Sequence, residues 1–190
     1  MKTQLLQKFE MPNGFRGRNK FIVQAWWVIQ SSLFTLSPQF MYSWRSFLLR
    51  LFGAEIGKGV IIRPSVRITY PWKLRIGDYS WIGDEVCLYT LGEIEIGSNT
   101  VISQKCYICT GSHEYTSEAF DIYAQKITIK DQAWLATDVF VAPGVSIGEG
   151  TVVGARSSVF NDLPEGMICI GNPAKPLRKR DSNETRTKKP

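Results

Sequence analysis

The sequence contains one histidine, His113, and imidazole is the side chain whose charge changes most readily near neutral pH. An imidazole can accept the proton of a hydroxyl while that hydroxyl attacks a carbonyl carbon, so His113 is a candidate general base. Its neighbour Glu114 is a candidate for orienting the ring. The alternative for His113 is an ordinary surface histidine in a loop.

Cysteine thiols are the other reactive groups of the chain, at positions 87, 106, 109 and 169. Only Cys106 and Cys109 have the spacing of metal ligands. No second pair accompanies them and no further histidine exists, so the sequence predicts no metal site. Cys109 precedes His113 by four residues, but a covalent Cys–His mechanism is disfavoured because no third group is evident to orient the pair. Thiols without a disulfide framework fit a reducing cytoplasm.

The net charge of +6 is distributed unevenly along the 190 residues. Residues 1–55 carry seven Lys/Arg against two Asp/Glu (+5), residues 56–173 carry nine against 13 (−4), and residues 174–190 carry seven against two (+5). A nucleic-acid groove would need its positive charge on the folded body, so no nucleic-acid partner is expected. Hydrophobic residues make up 44% and charged residues 21%, which is typical of a globular chain with its own core.

A repeat of six residues dominates the sequence after Ile56. The blocks run IGKGVI, IRPSVR, ITYPWK from Ile56; IGDYSW, IGDEVC, LYTLGE from Ile76; IGSNTV, ISQKCY, ICTGSH from Ile96; and IKDQAW, LATDVF, VAPGVS, IGEGTV, VGARSS from Ile129. Each block opens with Ile, Leu or Val, and its fifth residue is usually small or apolar.

A period of six fits neither an α-helix nor a flat sheet. It predicts an all-β fold, the left-handed parallel β-helix, in which three hexads complete one coil of a triangular prism. The opening residue of each hexad then points into the prism and the fifth occupies a crowded corner. Glycine at the second position is expected to help the backbone turn.

Three regions follow from this pattern. Residues 1–55 form a helical N-terminal extension, residues 56–173 form the β-helix domain with a loop at 114–128, and residues 174–190 form a basic C-terminal tail whose end reads as disordered. Open ends of a β-helix need covering, so the extension is expected to cap the first coil.

Two helices are predicted in the extension, at Phe21–Leu36 and Pro38–Phe52, with Ser37 capping the second. One apolar face of the second helix is expected to contain Trp44, Phe47, Leu48, Leu51 and Phe52. The first stretch is too short to span a bilayer. Contact with a membrane surface is a further hypothesis, resting on the positive charge of the region and on its interfacial residues Trp26, Trp27 and Trp44.

Several segments resemble the hexapeptide-repeat acyltransferases: the hexads, CTGSHEY at 109–115 and GNPAK at 171–175. Together with WRSFLLRLFGAEIG and PGVSIGEGTVVGARSSV, they look most like the colanic-acid-type polysaccharide O-acetyltransferases. The resemblance covers about residues 40–180. It implies a homotrimer with active sites between neighbouring prisms, acetyl-CoA as donor and no metal. His113 aligns without a gap with the base of similar galactoside and maltose acetyltransferases, whereas carbonic anhydrases of this fold need three histidines.

The resemblance also implies donor-binding positions, namely Thr137, Ala155, Lys175 and Arg178. The last two are cations suited to the phosphates of CoA, with a solvated tail as the alternative. Trp134 either forms a wall of the donor tunnel or packs at the trimer interface. The chain departs from these relatives at Phe160 and Asn161, where they carry a hydroxyl and a lysine.

The acceptor-binding candidates are less well defined. Asp84, Glu85 and Tyr89 lie in the coil before His113 and can hydrogen-bond a sugar, although an exposed prism face would also carry such residues. The loop at 114–126 offers Tyr115, with Phe120 and Tyr123, to stack on a sugar or on a neighbouring subunit. A long excursion from a regular coil is typically functional.

The sequence therefore predicts a cytoplasmic acetyl-CoA-dependent O-acetyltransferase that acts on a sugar hydroxyl of a surface polysaccharide or its precursor. Peripheral contact with the inner face of the membrane is an open extension of this prediction. N-acetylation of an amino sugar or nucleotide sugar is one alternative. A non-catalytic trimeric protein that binds sugars or serves as a scaffold is another.

Overall fold

The computed structural model describes residues 4–181, which form a prism of short parallel strands preceded by two helices. The helices are α1 (Lys20–Ile29), which continues into a π-helical turn (Gln30–Phe34), and α2 (Tyr42–Leu51). Short 3-10 turns lie at Leu6–Lys8 and Pro71–Lys73.

Three sheets form the sides of the prism, parallel throughout except for the last strand pair of the second, and we call them faces A, B and C in the order in which the chain visits them. Face A contains β1 (Glu55–Ile56), β4 (Leu74–Ile76), β7 (Ile94–Ile96), β12 (Ile127–Ile129) and β15 (Ser146–Ile147). Face B contains β2 (Ile61–Ile62), β5 (Trp81–Ile82), β8 (Val101–Ile102), β13 (Trp134–Leu135), β16 (Val152–Val153), β18 (Met167–Gly171) and β19 (Ala174–Lys179). Face C contains β3 (Arg67–Ile68), β6 (Cys87–Tyr89), β9 (Tyr107–Cys109), β14 (Phe140–Val141) and β17 (Ser158–Val159).

The hexad register places the core of the prism. Ile56 pairs with Ile76 and Ile76 with Ile96, so the first three coils repeat every 20 residues. After the hairpin, Ile129 pairs with Ile147, and the same hexad positions stay stacked. The opening residues are buried at every coil, and most fifth positions are buried beside them, from Val60 to Ser157. This arrangement confirms the predicted left-handed parallel β-helix.

The corners of the prism correct the expected role of glycine. The fourth hexad position takes the left-handed backbone conformation, as at Asn99 (φ 54°) and Asp138 (φ 62°), so the turn does not depend on the second position. Glycine is needed at the second position because coils approach closely there: a Cβ at Gly77 would lie 2.6 Å from the backbone nitrogen of Ser98. The same holds at Gly97, where it would lie 2.5 Å from the nitrogen of Asp131.

One side chain from the N-terminal segment closes each side of the first coil. The strands of this coil donate their N–H groups to the second coil, which leaves the carbonyls of Ile56, Ile62 and Ile68 facing the open end. These carbonyls accept hydrogen bonds from Arg50 (2.8 Å), Arg45 (2.7 Å) and Trp26 (2.8 Å), respectively. The hydrogen bonds to Ile62 and Ile68 are buried, and buried carbonyls need such partners.

The details of the N-terminal helices differ from the prediction. Helix α2 begins at Tyr42 rather than Pro38, and Ser37 does not cap it: its hydroxyl donates to the Phe34 carbonyl. The buried side of α2 includes Arg45, whereas Phe47 and Leu51, which were predicted on the apolar face of this helix, are 52% and 66% exposed.

Trp26 was expected at a membrane surface and is instead fully buried under the first coil. No helix within residues 4–181 is long and apolar enough to cross a bilayer. At the other end of the chain, part of the predicted basic tail forms β19, which pairs antiparallel with β18. The predicted disorder of the tail concerns residues 182–190, which lie outside the described residues.

Candidate active site

His113 lies at the corner between faces C and A, where the regular coil is interrupted. It ends β10 (Gly111–His113), which pairs antiparallel with β11 (Ile122–Ala124). The predicted loop is therefore largely a β-hairpin standing out from the prism. The side chain of His113 is half-buried.

Phe120, at the far end of this hairpin, holds the imidazole in two ways. The Nδ1 atom of His113 lies 2.8 Å from the carbonyl oxygen of Phe120. Because a carbonyl only accepts, Nδ1 must carry the proton, and the neutral ring then presents Nε2 as an acceptor. The phenyl ring of Phe120 also stacks on the imidazole, with centroids 4.2 Å apart and planes within 8°.

A second aromatic ring reaches His113 from the beginning of the chain. Phe9 lies with its centroid 5.9 Å from that of the imidazole, and its neighbour Lys8 forms an ion pair with Glu118 of the hairpin at 2.6 Å. Sequence reasoning missed both Phe9 and the role of Phe120. The hexad pattern cannot reveal Phe9, since residues 4–19 lie outside the repeat.

Glu114, considered as the residue that orients the imidazole, and Cys109, considered as a nucleophile, both form hydrogen bonds with groups other than His113. The Glu114 carboxylate accepts hydrogen bonds from the Thr116 amide and hydroxyl (3.1 and 2.5 Å), so the Phe120 carbonyl, rather than Glu114, orients the ring. The Cys109 thiol donates to the Gly111 carbonyl at 3.1 Å, and burial raises its pKa. A thiol with a raised pKa is a poor nucleophile at neutral pH.

Two of the acceptor candidates share the corner of His113. Tyr89 ends β6 and stands in register with Cys109, one coil before the histidine, and it is half-buried. Tyr115 follows His113 by two residues and is 79% exposed. The structure therefore brings these two tyrosines and His113 to the same edge of the prism.

Four of the remaining predicted residues lie at the corner between faces B and C. Asp84 and Glu85 lie at this corner in the second coil, and Thr137 and Ala155 lie there in the fourth and fifth coils. The last two coils are joined at the corner by a hydrogen bond from the Arg156 amide to the Thr137 carbonyl at 2.9 Å. In one copy, this corner and that of His113 flank face C. The two groups therefore lie on opposite sides of face C, separated by one hexad, which spans at most about 20 Å of extended chain.

Asp84 is already engaged within its own chain. Its carboxylate accepts hydrogen bonds from Arg63 (2.9 Å) and Ser65 (3.0 Å). The hydrogen bond from Arg63 holds the pKa of Asp84 below its ordinary value. A sugar would have to compete with both partners, whereas the neighbouring Glu85 is exposed.

The three other donor candidates lie on face B. Trp134 is 45% exposed, and its indole N–H donates to the Ser103 hydroxyl at 3.0 Å, which fixes the ring against the sheet. Lys175 and Arg178 are exposed on β19, at the edge of the same sheet. Phe160, which replaces the hydroxyl expected there, is 51% exposed and contacts Phe140.

Among residues 4–181, no group of three or more His, Cys, Asp or Glu side chains is placed to hold a metal ion.

Comparison with known proteins identifies the family. No protein-family model matches the chain. Over 181 residues it is 62% identical to an Escherichia coli K12 protein assigned as the colanic acid biosynthesis acetyltransferase WcaF, an alignment that covers 95% of this chain and 100% of the relative. The chain belongs to the colanic-acid-type hexapeptide-repeat acetyltransferases. The protein is thus an acetyltransferase, as predicted.

More distant relatives of this acetyltransferase share its fold. The galactoside O-acetyltransferase of Escherichia coli K12 is 26% identical over 137 residues, which cover 70% of this chain and 68% of that protein. A hexapeptide-repeat acetyltransferase of Vibrio cholerae, solved with acetyl coenzyme A, superposes with a TM-score of 0.80 at 24% identity, covering 95% of this chain and 97% of the other.

Proposed function

We propose that this acetyltransferase transfers the acetyl group of acetyl-CoA directly to a sugar hydroxyl of a surface polysaccharide or its precursor, with His113 as general base. The observation that carries the proposal is the hydrogen bond from Nδ1 of His113 to the Phe120 carbonyl, which leaves Nε2 as the acceptor. The name of the Escherichia coli relative supports a polysaccharide-related acceptor.

The proposed reaction uses one imidazole in both halves of the transfer. Nε2 accepts the proton of the sugar hydroxyl as its oxygen bonds to the thioester carbonyl carbon. The tetrahedral adduct then breaks its C–S bond, and the departing CoA sulfur takes the proton from the imidazolium. Throughout, the Phe120 carbonyl accepts from Nδ1–H and thereby stabilises the positive charge that the ring carries between the two steps.

The donor side is proposed to follow the corner between faces B and C. Small side chains at Thr137 and Ala155 leave the backbone accessible to a pantetheine arm, and the exposed Trp134 ring offers a wall on face B. Lys175 and Arg178 on β19 supply cationic groups for phosphates. The structures of the Vibrio cholerae acetyltransferase with acetyl coenzyme A and of a galactoside acetyltransferase with coenzyme A support this choice of donor.

A homotrimer is proposed to unite the two halves of the site, because His113 and the donor corner lie on opposite sides of face C in one copy. The outward side of face B supports an interface. It presents an apolar row in register along the whole sheet, formed by Ile61, Trp81, Val101, Trp134, Val152 and Ile168. Trp81 and Trp134 are 54% and 45% exposed in the single chain. Face A differs, since its outward row carries the ion pair Arg75–Glu55.

The decisive experiment measures acetyl transfer and thiol release with acetyl-CoA over a panel of sugars, nucleotide sugars and oligosaccharides. His113→Ala and His113→Gln are compared with the wild type. Loss of a general base lowers kcat by about 10²–10⁴-fold, and His113→Gln should not restore it because an amide is not a base. Acetyl-CoA binding, followed by calorimetry, should persist in both variants.

The product identifies the acceptor group, since mild alkali releases acetate from an ester and leaves an amide intact. An alkali-resistant product would replace O-transfer by N-acetylation of an amino sugar. Full activity of His113→Ala would contradict the assigned base. Absence of acetyl-CoA binding by the wild type would contradict the proposed donor.

A further inference from the structure

Large apolar side chains remain exposed on the helical N-terminal segment, although it covers the end of the prism. They are Phe21, Trp27, Val28, Leu33, Leu36, Phe40, Phe47 and Leu51, and we call this set the N-terminal apolar surface. Five of them are more than 60% exposed. Scattered apolar residues are ordinary on a protein surface, but a concentration in 31 consecutive residues is typical of an interaction surface.

Part of the N-terminal apolar surface is continuous, because residues on the outer side of α2 contact one another and the turn after α1. Phe47 and Leu51 are four residues apart on α2, on the side away from the buried Leu48 and Leu49. The Trp44 ring stacks on Phe47 with centroids 5.8 Å apart, and its N–H donates to the Leu33 carbonyl at 3.1 Å. Trp44 therefore joins the outer side of α2 to the turn that follows α1.

Helix α1 is arranged in the same way. Val23 and Trp26 are fully buried against the prism, while Phe21 and Val28, seven residues apart, share the opposite side and are 75% and 63% exposed. Both helices therefore bury one apolar side and present a second apolar side outward.

The charged residues around the N-terminal apolar surface are all positive. The sequence has no Asp or Glu from residue 11 to residue 54, and the basic residues there include the exposed Arg18 and Lys20. The Lys20 ammonium lies 5.5 Å from the centre of the Phe21 ring, so a cation and an apolar side chain sit together. None of the ion pairs formed within the described residues involves this stretch.

We propose that the N-terminal apolar surface binds an anionic lipid bilayer, with Phe21, Val28, Phe47 and Leu51 entering the interfacial region and Arg18 and Lys20 facing the headgroups. Apolar side chains next to unpaired cations match the chemistry of such a surface, with its negative charge above hydrocarbon. A second copy docking through the same surface would instead bring like charges together. The apolar side chains and the basic residues both contribute to binding. Each basic residue near an anionic surface strengthens binding about fivefold.

Co-sedimentation of the full-length protein with vesicles tests the proposal. One set is phosphatidylcholine alone and the other contains about a third phosphatidylserine, which supplies the negative surface potential. The wild type should bind the anionic vesicles, and binding should weaken with added salt. Phe47→Ser/Leu51→Ser should lower binding at least tenfold, because each buried apolar side chain contributes strongly. Arg18→Glu/Lys20→Glu should lower it on anionic vesicles and abolish its salt dependence.

Leu177→Ser is the matched control, because Leu177 is 61% exposed at the other end of the chain, and it should bind vesicles like the wild type. Thermal unfolding and acetyl transfer to a soluble acceptor show that each variant is folded. The proposal is overturned if the wild type does not bind anionic vesicles, or if Phe47→Ser/Leu51→Ser binds them equally well. A lower oligomeric mass of that variant in light scattering, with unchanged vesicle binding, would assign the surface to a second copy.

Discussion

Phe120 contacts both the edge and the face of the His113 imidazole: its carbonyl accepts from Nδ1 at 2.8 Å, and its ring stacks on the imidazole at 4.2 Å. The backbone of Phe120 is left-handed, with φ of 53°. One loop residue in a sparsely populated conformation thus fixes both the tautomer and the plane of the proposed base.

Removing the ring of Phe120 while keeping its carbonyl should reduce catalysis moderately. An aromatic pair contributes about 0.5–1.5 kcal/mol, so Phe120→Ala should lower kcat about 2- to 10-fold. The KM for acetyl-CoA should stay constant, because the ring positions the base and does not bind the donor. Phe120→Tyr keeps the ring and should behave like the wild type. A change in KM without a change in kcat would assign Phe120 to donor binding instead.

Cys109 should be dispensable for transfer. It is half-buried, its thiol donates to the Gly111 carbonyl, and burial raises its pKa. Cys109→Ala should therefore retain kcat within a few-fold, and no acetylated cysteine should accumulate during turnover. The deeply buried Cys106, whose pKa burial raises to about 11, should resist iodoacetamide in the folded protein. A loss of activity in Cys109→Ala as large as that in His113→Ala would support a covalent route.

Mixed trimers should reveal a site shared between copies. His113→Ala lacks the base, and Ala155→Trp blocks the donor corner, so each variant alone should be inactive. In trimers assembled from equal amounts of both, about one site in four combines an intact His113 with an intact Ala155 from its neighbour. Transfer should then recover to about one quarter of the wild-type rate. No recovery would place both residues in one copy's site.

The assembly itself is tested on face B. Val101 lies in the middle of its outward row, next to Trp81 and Trp134, so Val101→Lys should place a charge in the interface and yield monomers in light scattering. Thr128→Lys, at the corresponding outward position of face A, is the control and should leave the mass unchanged. If both variants had the same mass in light scattering, face B would not be the interface.

The sequence predicts the prism well because the hexad period specifies side-chain direction at every coil. Ile56, Ile76 and Ile96 point inward at the expected spacing, and the break after His113 marks the place where the β10–β11 hairpin leaves the repeat. The partition of the candidate residues between two corners also follows from the register once the fold is recognised.

The remaining features depend on contacts that no local pattern contains. The Phe120 carbonyl reaches His113 only because β10 and β11 pair, and Phe9 arrives from outside the repeat. A cationic residue of an amphipathic helix ordinarily lies on the solvent side, but Arg45 does not. It is buried because the first coil leaves a carbonyl without a partner, and only the assembled end of the prism creates that requirement.

Asp84 should act in stability rather than in acceptor binding. Because the hydrogen bond from Arg63 lowers its pKa in the folded state, Asp84 stabilises the protein above its ordinary pKa of about 3.9 and loses this contribution as the pH falls through the lower folded value. Asp84→Asn should lower the free energy of unfolding in urea at pH 7 by at most about 1 kcal/mol, since the carboxylate is 45% exposed. The difference from wild type should shrink below pH 4.

Glu85→Gln is the control for this prediction, because the neighbouring carboxylate is exposed. Its unfolding should match that of the wild type at both pH values. An increase in the KM for the acceptor in Asp84→Asn, with unchanged stability, would show instead that Asp84 binds the sugar.

Arg45 should contribute more to stability than any exposed arginine of the cap. It is fully buried and donates to the carbonyls of Ile62, Pro38 and Gln39, at 2.7, 2.9 and 2.6 Å, and burial lowers its pKa. Arg45→Met fills similar space but leaves these carbonyls without a donor. The Ile62 carbonyl is then buried without a partner, whereas water can reach the exposed Pro38 and Gln39 carbonyls. A buried unsatisfied group costs about 1–3 kcal/mol, so urea unfolding should show a loss of about 1–3 kcal/mol.

Arg50→Met provides the comparison, because Arg50 donates to the carbonyls of Ile56 and Gly57 from an exposed position where water can replace it. Its loss should be about 1 kcal/mol or less. The proposed active corner at His113 lies at the third coil, away from the cap, so folded Arg45→Met should retain its kcat at temperatures below its own transition. If Arg45→Met proved as stable as Arg50→Met, the buried hydrogen bonds of Arg45 would not hold the helices on the first coil.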